Sequence, residues 1–539
     1  MNRKKMNHQM LMASLILLPV IFGIILYKVP LKIGKFVLLG VQAVLLGLAV
    51  FLFLQTQNNQ IIYTIIGGDN PILNIVFAGD RFAMLMVLAT NLLFALGFAY
   101  KWSDQFFDGK LMLLYLILQG LTSGIFMTDD LFNLFILFEV STVITTLLLM
   151  FKKNGRVVYD ALYYLITQMV SMMFFLFGIG FLYRTFGVLS ISTIAAGIAS
   201  VPAQDLVLPF AFLIAGLCFK LAMFPMYSWV SRAYTINSAP ITQIAVMSSI
   251  LMKTGLFWFF RFNQMFAPVL DFTSFFIIFG FLTALFGAWE AILQKDIRLI
   301  LAYSTVSQIG FTITTTFLGD GISTIGSYYH LFNHAIFKML LFLAAGLLIR
   351  NYETADIYEI RGKLKANPLV AVVTLIGMLA ITGFPFTSGS ISKYFMSAGL
   401  NYWWQQSIFY AMSFATILVF VRYSTMFLAG VQDSFKISRL KQLTVAVLAV
   451  VTVVLGIAVS TGINFMLQVD VKVDAWAFAQ KGMYYVVMVV IAGLIYRRFM
   501  YNKMHWDSKL ENSLSFSKMC LVFLSFFTVL IMSGLWGVR

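Results

Sequence analysis

The chain has 539 residues, 61% of them hydrophobic and only 11% charged, with a formal net charge of +16. Soluble domains carry roughly a quarter charged residues, so this composition excludes a water-soluble fold and makes the bilayer the solvent. In such a chain a positive excess is a topology signal before it is a nucleic-acid footprint. The two cysteines, Cys218 and Cys520, lie in apolar runs without a CxxC pair, which excludes a disulfide framework and an iron-sulfur site.

Apolar runs of about 18 to 25 residues read as transmembrane helices. They fall near 9–27, 35–55, 77–99, 111–127, 130–150, 159–183, 206–228 and 238–260. A second series follows near 271–293, 299–318, 323–349, 367–398, 405–430, 442–467, 478–496 and 516–536. The first run follows the basic stub MNRKK, but no small-residue cleavage site follows Ile25, so it is expected to be retained as a helix. The longest loops, 351–366 and 497–515, read as short polar linkers, the second lying along the membrane surface. The expected fold is an all-α polytopic membrane protein with about 14 to 16 transmembrane helices, placed in the cell (inner) membrane.

Of the 37 Lys and Arg, 23 fall in one set of alternate loops, 28–35, 101–110, 151–157, 229–236, 294–298, 350–365, 431–441 and 496–518. The other set, which includes both termini, holds nine. Positively charged loops stay cytoplasmic, so both termini are expected outside. Five basic residues belong to no loop.

Two spans carry proline in mid-course, at Pro225 and Pro385. Proline removes a backbone donor and clashes with the preceding turn, so each is expected to break its helix. The span with Pro385 runs about 30 residues, roughly 45 Å at 1.5 Å per residue, too long for one straight crossing. Each broken helix carries a lysine, Lys220 five residues before Pro225 and Lys393 eight after Pro385, and the next span carries its own cation, Lys253 or Arg422. This reads as a duplicated unit whose copies are inverted relative to each other, the pattern that marks a transporter's central path. The expected division is N-terminal helices over 1–110, a first repeat over 111–262, a second over 271–430 and C-terminal helices over 431–539.

The five unclaimed cations are Lys220, Lys253, Lys338, Lys393 and Arg422, and Glu139 is the one carboxylate clearly in mid-span. A charge at the bilayer centre costs on the order of 3 kcal/mol, so these groups must face one another or water. A desolvated lysine can take and give a proton near neutral pH, and arginine cannot. The four lysines are therefore candidate proton carriers, Glu139 a partner that favours the charged form of a nearby lysine, and Arg422 a fixed charge. His330, His334 and Lys338 recur at four-residue spacing, which puts them on one helix face. Histidine titrates nearest physiological pH and suits a relay. Two histidines at i, i+4 also suit zinc, but no acidic or cysteine third ligand lies nearby, and no metal is expected. Glycine-rich nucleotide loops are missing, so no cofactor is expected either. A single buried lysine or histidine is as often a packing element as a functional one. Five cations, one acid and the His-x3-His-x3-Lys stripe together point to transport. Asp80, Asp129 and Asp130 either gather cations at the outer surface or start helices.

At these residues the sequence resembles the antiporter-like subunits shared by respiratory complex I, membrane-bound hydrogenases and Mrp-type sodium/proton antiporters. The resemblance rests on DLFNLFILFE (130–139), FKLAMFPMYSW (219–229), APITQIAVMSSILMKTG (239–255), QKDIRLILAYSTVSQIG (294–310), YYHLFNHAIFKMLLFLAAG (328–346) and GFPFTSGSISK (383–393). It implies that Glu139 and Lys220 form a regulating pair, that Lys253 and the helix of His330, His334 and Lys338 carry a central hydrophilic axis, and that Lys393 serves the exit half-channel. It also implies two inverted five-helix units. The chain departs from the family pattern at Tyr227, where a histidine is usual, and in the FPF around Pro385, where a double proline is usual. No long lateral helix like that of the largest complex I member is expected. Three functions fit: a cation/proton antiporter subunit of an Mrp-like assembly, the proton-pumping module of a redox complex, and the membrane subunit of an inorganic-carbon uptake system. Each implies other subunits as partners, H+ with or without Na+ as cargo, and no nucleic acid.

Overall fold

The computed structural model describes residues 3–67, 74–104, 107–151, 155–236, 239–362, 367–428, 434–500 and 515–537. Residues 501–514, most of the stretch expected along the membrane surface, fall outside the described residues. So do Lys152, Lys153, Lys363, Lys365, Lys503, Lys509 and Arg539 of the loop-charge reading.

The chain opens with α1 (Arg3–Lys28) and α2 (Leu31–Gln55), then an antiparallel hairpin, β1 (Ile62–Ile66) and β2 (Ile75–Gly79). After it come α3 (Arg81–Lys101), α4 (Gly109–Met127), α5 (Leu131–Leu149), α6 (Gly155–Phe186) and the short α7 (Ile191–Gly197). The first broken helix is α8 (Ala203–Lys220) with α9 (Trp229–Tyr234), followed by α10 (Ile241–Val246) running through a π-helical turn, Met247–Leu251, into α11 (Met252–Phe266). Then come α12 (Thr273–Leu293), α13 (Ile297–Leu318) and α14 (Gly321–Tyr352). The second broken helix is α15 (Pro368–Thr382) with α16 (Ser388–Ala398), and α17 (Trp403–Tyr423) follows it. The last elements are α18 (Arg439–Ile457), α19 (Val459–Leu467), α20 (Ala475–Ile495) and α21 (Phe516–Trp536).

Among the described residues, fourteen helices are long and apolar enough to cross a membrane. Two more crossings complete the sixteen read from the sequence. At 22 residues α13 is long enough, but Ser304, Thr305, Ser307 and Gln308 make it too polar for that count, and they are buried inside the bundle. The other is the broken pair α15 and α16, each too short alone to span about 30 Å of hydrocarbon.

Contacts between loops carry the alternation of sides. Loops of the basic set meet each other, Asp104 with Arg350 and Lys441, and Asn367 Oδ1 with the Phe435 amide. Loops of the opposite set meet likewise, Asp80 with Arg261 and the Asn59 amide with Gln468. Asp80 and Asp130 accept from Ala83 N and Asn133 N as helix N-caps, and Asp129 accepts from Ser190 and Ser192 at the start of α7. These acids therefore start and tie helices. Burial pushes the Asp129 carboxyl above its usual range against those hydrogen bonds.

Both breaks fall where proline predicts them. α8 stops at Lys220, five residues before Pro225, and α15 stops at Thr382, three before Pro385. Each break holds a non-glycine residue in the left-handed region, Ala222 (φ 55°) and Phe386 (φ 66°), a conformation that persists only when its surroundings fix it. At the first break the backbone groups are met by side chains from elsewhere: the Phe224 amide donates to Thr283 Oγ1 (2.9 Å) and Trp229 Nε1 donates to the Phe219 carbonyl (3.2 Å).

Candidate functional site

Lys220, Lys253, Lys338, Lys393, His330 and His334 are all buried. They come from α8, α11, α14 and α16, and α13 bonds to Lys338, to His330 and to the Ser248 that holds Lys253.

Lys220, the last residue of α8, points at α5. Its Nζ lies 3.4 Å from Thr142 Oγ1 and 5.0 Å over the Phe138 ring, residues that flank Glu139 on the same helix. The half-buried Glu139 is an electrostatic neighbour of Lys220 but makes no direct ion pair with it, and its Oε1 is buried without a protein partner. A small cavity of about 20 Å³, enough for a water, lies beside Lys220, Thr142, Gln168 and Thr254. Neither end of the Gln168 amide has a protein partner. The path to α11 is short, since a Cβ on Gly255 would sit 3.8 Å from Lys220 Cδ.

Lys253 donates to the Ser248 carbonyl inside the π-helical turn. A π turn widens the helix and releases carbonyls from the regular ladder, and such turns recur at functional sites. Ser248 Oγ is 2.6 Å from Thr305 Oγ1 on α13, and Thr305 in turn donates to the Leu301 carbonyl (3.0 Å). Lys338 donates to that same carbonyl (2.7 Å) and to Ser304 Oγ (2.6 Å). Lys253 and Lys338 are thus joined through Ser248 of the π turn and the Thr305 hydroxyl and Leu301 carbonyl of α13.

One and two turns before Lys338 the imidazoles of His334 and His330 stack, with centroids 5.7 Å apart and planes within 11°. His334 Nε2 is buried without a protein partner. His330 Nδ1 lies 2.8 Å from Ser392 Oγ on α16, and its Nε2 lies 3.1 Å from Gln308 Oε1 on α13. Gln308 donates onward to Thr416 Oγ1 on α17 (3.0 Å). Lys393, beside Ser392, donates to the Ile381 and Thr382 carbonyls at the end of α15 (2.9 and 3.3 Å). Gly383 closes α15 at φ +91°, and a Cβ there would lie 2.9 Å from Lys393 Cδ, so the turn and the lysine's path both require glycine.

Arg422 departs from the expected mid-membrane position. It sits one residue from the end of α17 and donates to the Ala291 and Ile292 carbonyls at the end of α12 and to Tyr358 Oη. It ties three segments at the basic face and does not join the row. The sequence reading also missed Gln308, Ser304, Thr305, Ser248 and Ser392, whose polarity inside an apolar span was the available signal. Among the described residues no group of three or more His, Cys, Asp or Glu could hold a metal ion.

A row of ammonium and imidazole groups, spaced by hydroxyls, carbonyls and unpartnered amides, can pass protons by short hops through water. Residues 128–421, more than half of the chain, match the family described as NADH:quinone oxidoreductase/Mrp antiporter, TM. A Na(+)/H(+) antiporter subunit of Alkalihalophilus pseudofirmus is 27% identical over 490 residues, 85% of this chain and 97% of that protein. The fold is shared with a chain of the membrane-bound sulfane sulfur reductase, an archaeal respiratory membrane complex (TM-score 0.78, 23% identity, 89% of this chain and 99% of that one). It is shared likewise with a chain of the Mrp complex from Dietzia sp. DQ12-45-1b (TM-score 0.76, 20% identity, 89% and 99%). The chain therefore belongs to the NADH:quinone oxidoreductase/Mrp antiporter transmembrane family.

Proposed function

We propose that this chain is the proton-carrying membrane subunit of a multisubunit Mrp-type antiporter in the cell's inner membrane, exchanging H+ for Na+. The observation that carries the reading is the buried row from Lys220 through Lys253, Lys338, His334 and His330 to Lys393, with α13 hydroxyls and a carbonyl between Lys253 and Lys338 and with Gln308 of α13 and Ser392 of α16 on His330. In this reading Glu139 sets the charge state of Lys220 across the Thr142 contact, and protons move in single hops along the row. The units 111–262 and 271–430 act as two inverted half-channels around their broken helices at Pro225 and Pro385, with 1–110 and 431–539 as flanking helices. The likeness to the Alkalihalophilus Na(+)/H(+) antiporter subunit, along nearly the whole length of that protein, supports Na+ as the exchanged ion.

Everted vesicles containing the whole assembled complex, a pH-sensitive dye and pulses of Na+ test it. Lys220→Ala and Glu139→Ala are each expected to abolish Na+-driven proton movement while the protein still inserts, and wild-type rates in both would refute the relay. A second reading, a proton-pumping subunit of a redox complex, is favoured by the fold shared with the sulfane sulfur reductase chain. It requires that proton movement follow addition of an electron donor and ignore Na+.

A further inference from the structure

α20 lies almost wholly on the outside of the bundle, and its one charged residue is Lys481. Lys481 is six residues, about 9 Å at 1.5 Å per residue, inside the first residue of the helix. A lysine so placed ordinarily stretches its ammonium outward to the membrane surface. Lys481 turns inward instead. Its Nζ lies 2.6 Å from Ser397 Oγ, 3.3 Å from the Tyr394 carbonyl and 4.3 Å over the Tyr394 ring, all on α16. Lys393, one residue before Tyr394, lines the same cavity of about 50 Å³, room for more than one water. Ser390, Ser397 and Ser413 also line it, and the buried Ser413 hydroxyl meets no other protein group. The titratable groups around this space are Lys393 and Tyr394 of α16, Tyr410 of α17, and Lys481 and Tyr485 of α20; among the described residues no carboxylate lines it.

We propose that Lys481 is a further proton-exchanging group, outside both repeated units, that passes protons between Lys393 and the outer face of the membrane. The proposal rests on the transport reading above. A proton leaves the Lys393 ammonium, crosses the cavity by way of water and the serine hydroxyls, and joins the neutral amine of Lys481. One N–H bond breaks, one forms, and no electron changes hands. Lys481 then releases the proton to the outer solution, and the reverse sequence admits one. The competing role is purely structural: an ammonium beside the last turn of α16 complements the helix dipole there. Arginine serves that role as well as lysine but holds its proton permanently.

The test uses the whole complex in everted vesicles, with Lys393→Ala as reference. Lys481→Ala and Lys481→Arg are each expected to slow Na+-driven proton movement at least tenfold, with Lys481→Arg keeping the wild-type melting temperature. Lys481→His is expected to regain part of the rate with its optimum moved to lower pH. Wild-type transport by Lys481→Arg reduces the residue to a fixed charge, and wild-type transport by Lys481→Ala removes it from the path. Either result, with Lys393→Ala inactive, overturns this inference alone. Wild-type transport by Lys393→Ala as well overturns the transport reading with it.

Discussion

Gly310→Ala is expected to cripple transport without touching a titratable group. α12 and α13 pack so closely that a Cβ on Gly310 would lie 2.3 Å from the Ala284 amide nitrogen, 2.5 Å from the Gly280 carbonyl oxygen and 2.8 Å from the Thr283 carbonyl carbon. All three atoms are backbone, so no side chain can yield. Since real Cβ contacts essentially never fall under 3.0 Å, the helices must separate by at least about 0.7 Å. Overpacking of this kind costs about 1 to 3 kcal/mol. The displaced helix, α13, is the one that supplies Ser304 to Lys338, Thr305 to Ser248 and Gln308 to His330. A misplacement near 1 Å costs enzymes on the order of a hundredfold, so a fall of at least tenfold in exchange rate is expected here. Thermal unfolding in detergent and dye-monitored exchange in vesicles read the two effects separately. Gly40→Ala is the control, because nothing lies within 4 Å of its added Cβ and an alanine in a helix interior is favoured by about 0.5 to 1 kcal/mol. A Gly310→Ala protein with wild-type melting and wild-type exchange would refute the argument that α13 holds the row in register.

Removing the amide that joins His330 to α17, by Gln308→Leu, is expected to slow exchange at least tenfold in the vesicle assay with little change in melting temperature. Arg422→Ala should do the opposite: it strips a guanidinium from the end of α12 and lowers the melting temperature, while the surviving protein keeps most of its exchange rate. Asp104 is held by Lys441 and Arg350 at the basic face. Burial alone would raise its carboxyl, but the two cations outweigh burial and hold it below the usual carboxylate range. Its contribution is therefore complete above the ordinary carboxylate pKa of about 4 and lost as pH falls through the lower folded value. Asp104→Asn leaves the buried Lys441 ammonium without its counter-charge and is expected to cost on the order of 2 kcal/mol near neutrality. Melting curves of the two proteins at a series of pH values should converge at acid pH.

How much of this was legible in the sequence depended on whether the feature was local. Sixteen crossings follow from apolar length, and the two breaks follow from Pro225 and Pro385, because proline acts on the turn that contains it. Lys220, Lys253, Lys338 and Lys393 stood out because a charge inside an apolar run is too costly to be kept without a use. Arg422 met the same criterion yet sits five residues before its span ends at Phe427, where arginine's long side chain reaches the carbonyls at the end of α12. Lys481 failed in the other direction. Near the start of its span it read as a loop charge, and only the packing of α20 on α16 turns it inward. The π turn under Lys253 had no sequence signal, because Met247–Leu251 are ordinary helix residues whose extra width is set by their neighbours. Gln308 and the α13 hydroxyls were visible as polar residues, but which lysine or histidine each would meet is a tertiary fact.

The acceptors chosen by the buried lysines bear on how the proposed row would move protons. Lys253 is held by the Ser248 carbonyl, Lys338 by the Leu301 carbonyl, and Lys393 by the Ile381 and Thr382 carbonyls; Lys220 meets a hydroxyl. Among the described residues none of the four is in direct contact with a carboxylate, and the one clearly mid-span acid, Glu139, is an electrostatic neighbour of Lys220 without an ion pair to it. A carboxylate at hydrogen-bond distance would bind an ammonium so firmly that the proton could not leave at physiological pH. A carbonyl solvates the charged form yet leaves the neutral amine tolerable, because the oxygen lost as an acceptor keeps its helix partner or finds water. The π turn and the break at Pro385 have the same use in this light: each bares carbonyls in mid-membrane at the point where a lysine must be solvated without being trapped. Irregular backbone is tolerated at that depth only where it faces protein or water, so these deviations and the lysines they serve require one another.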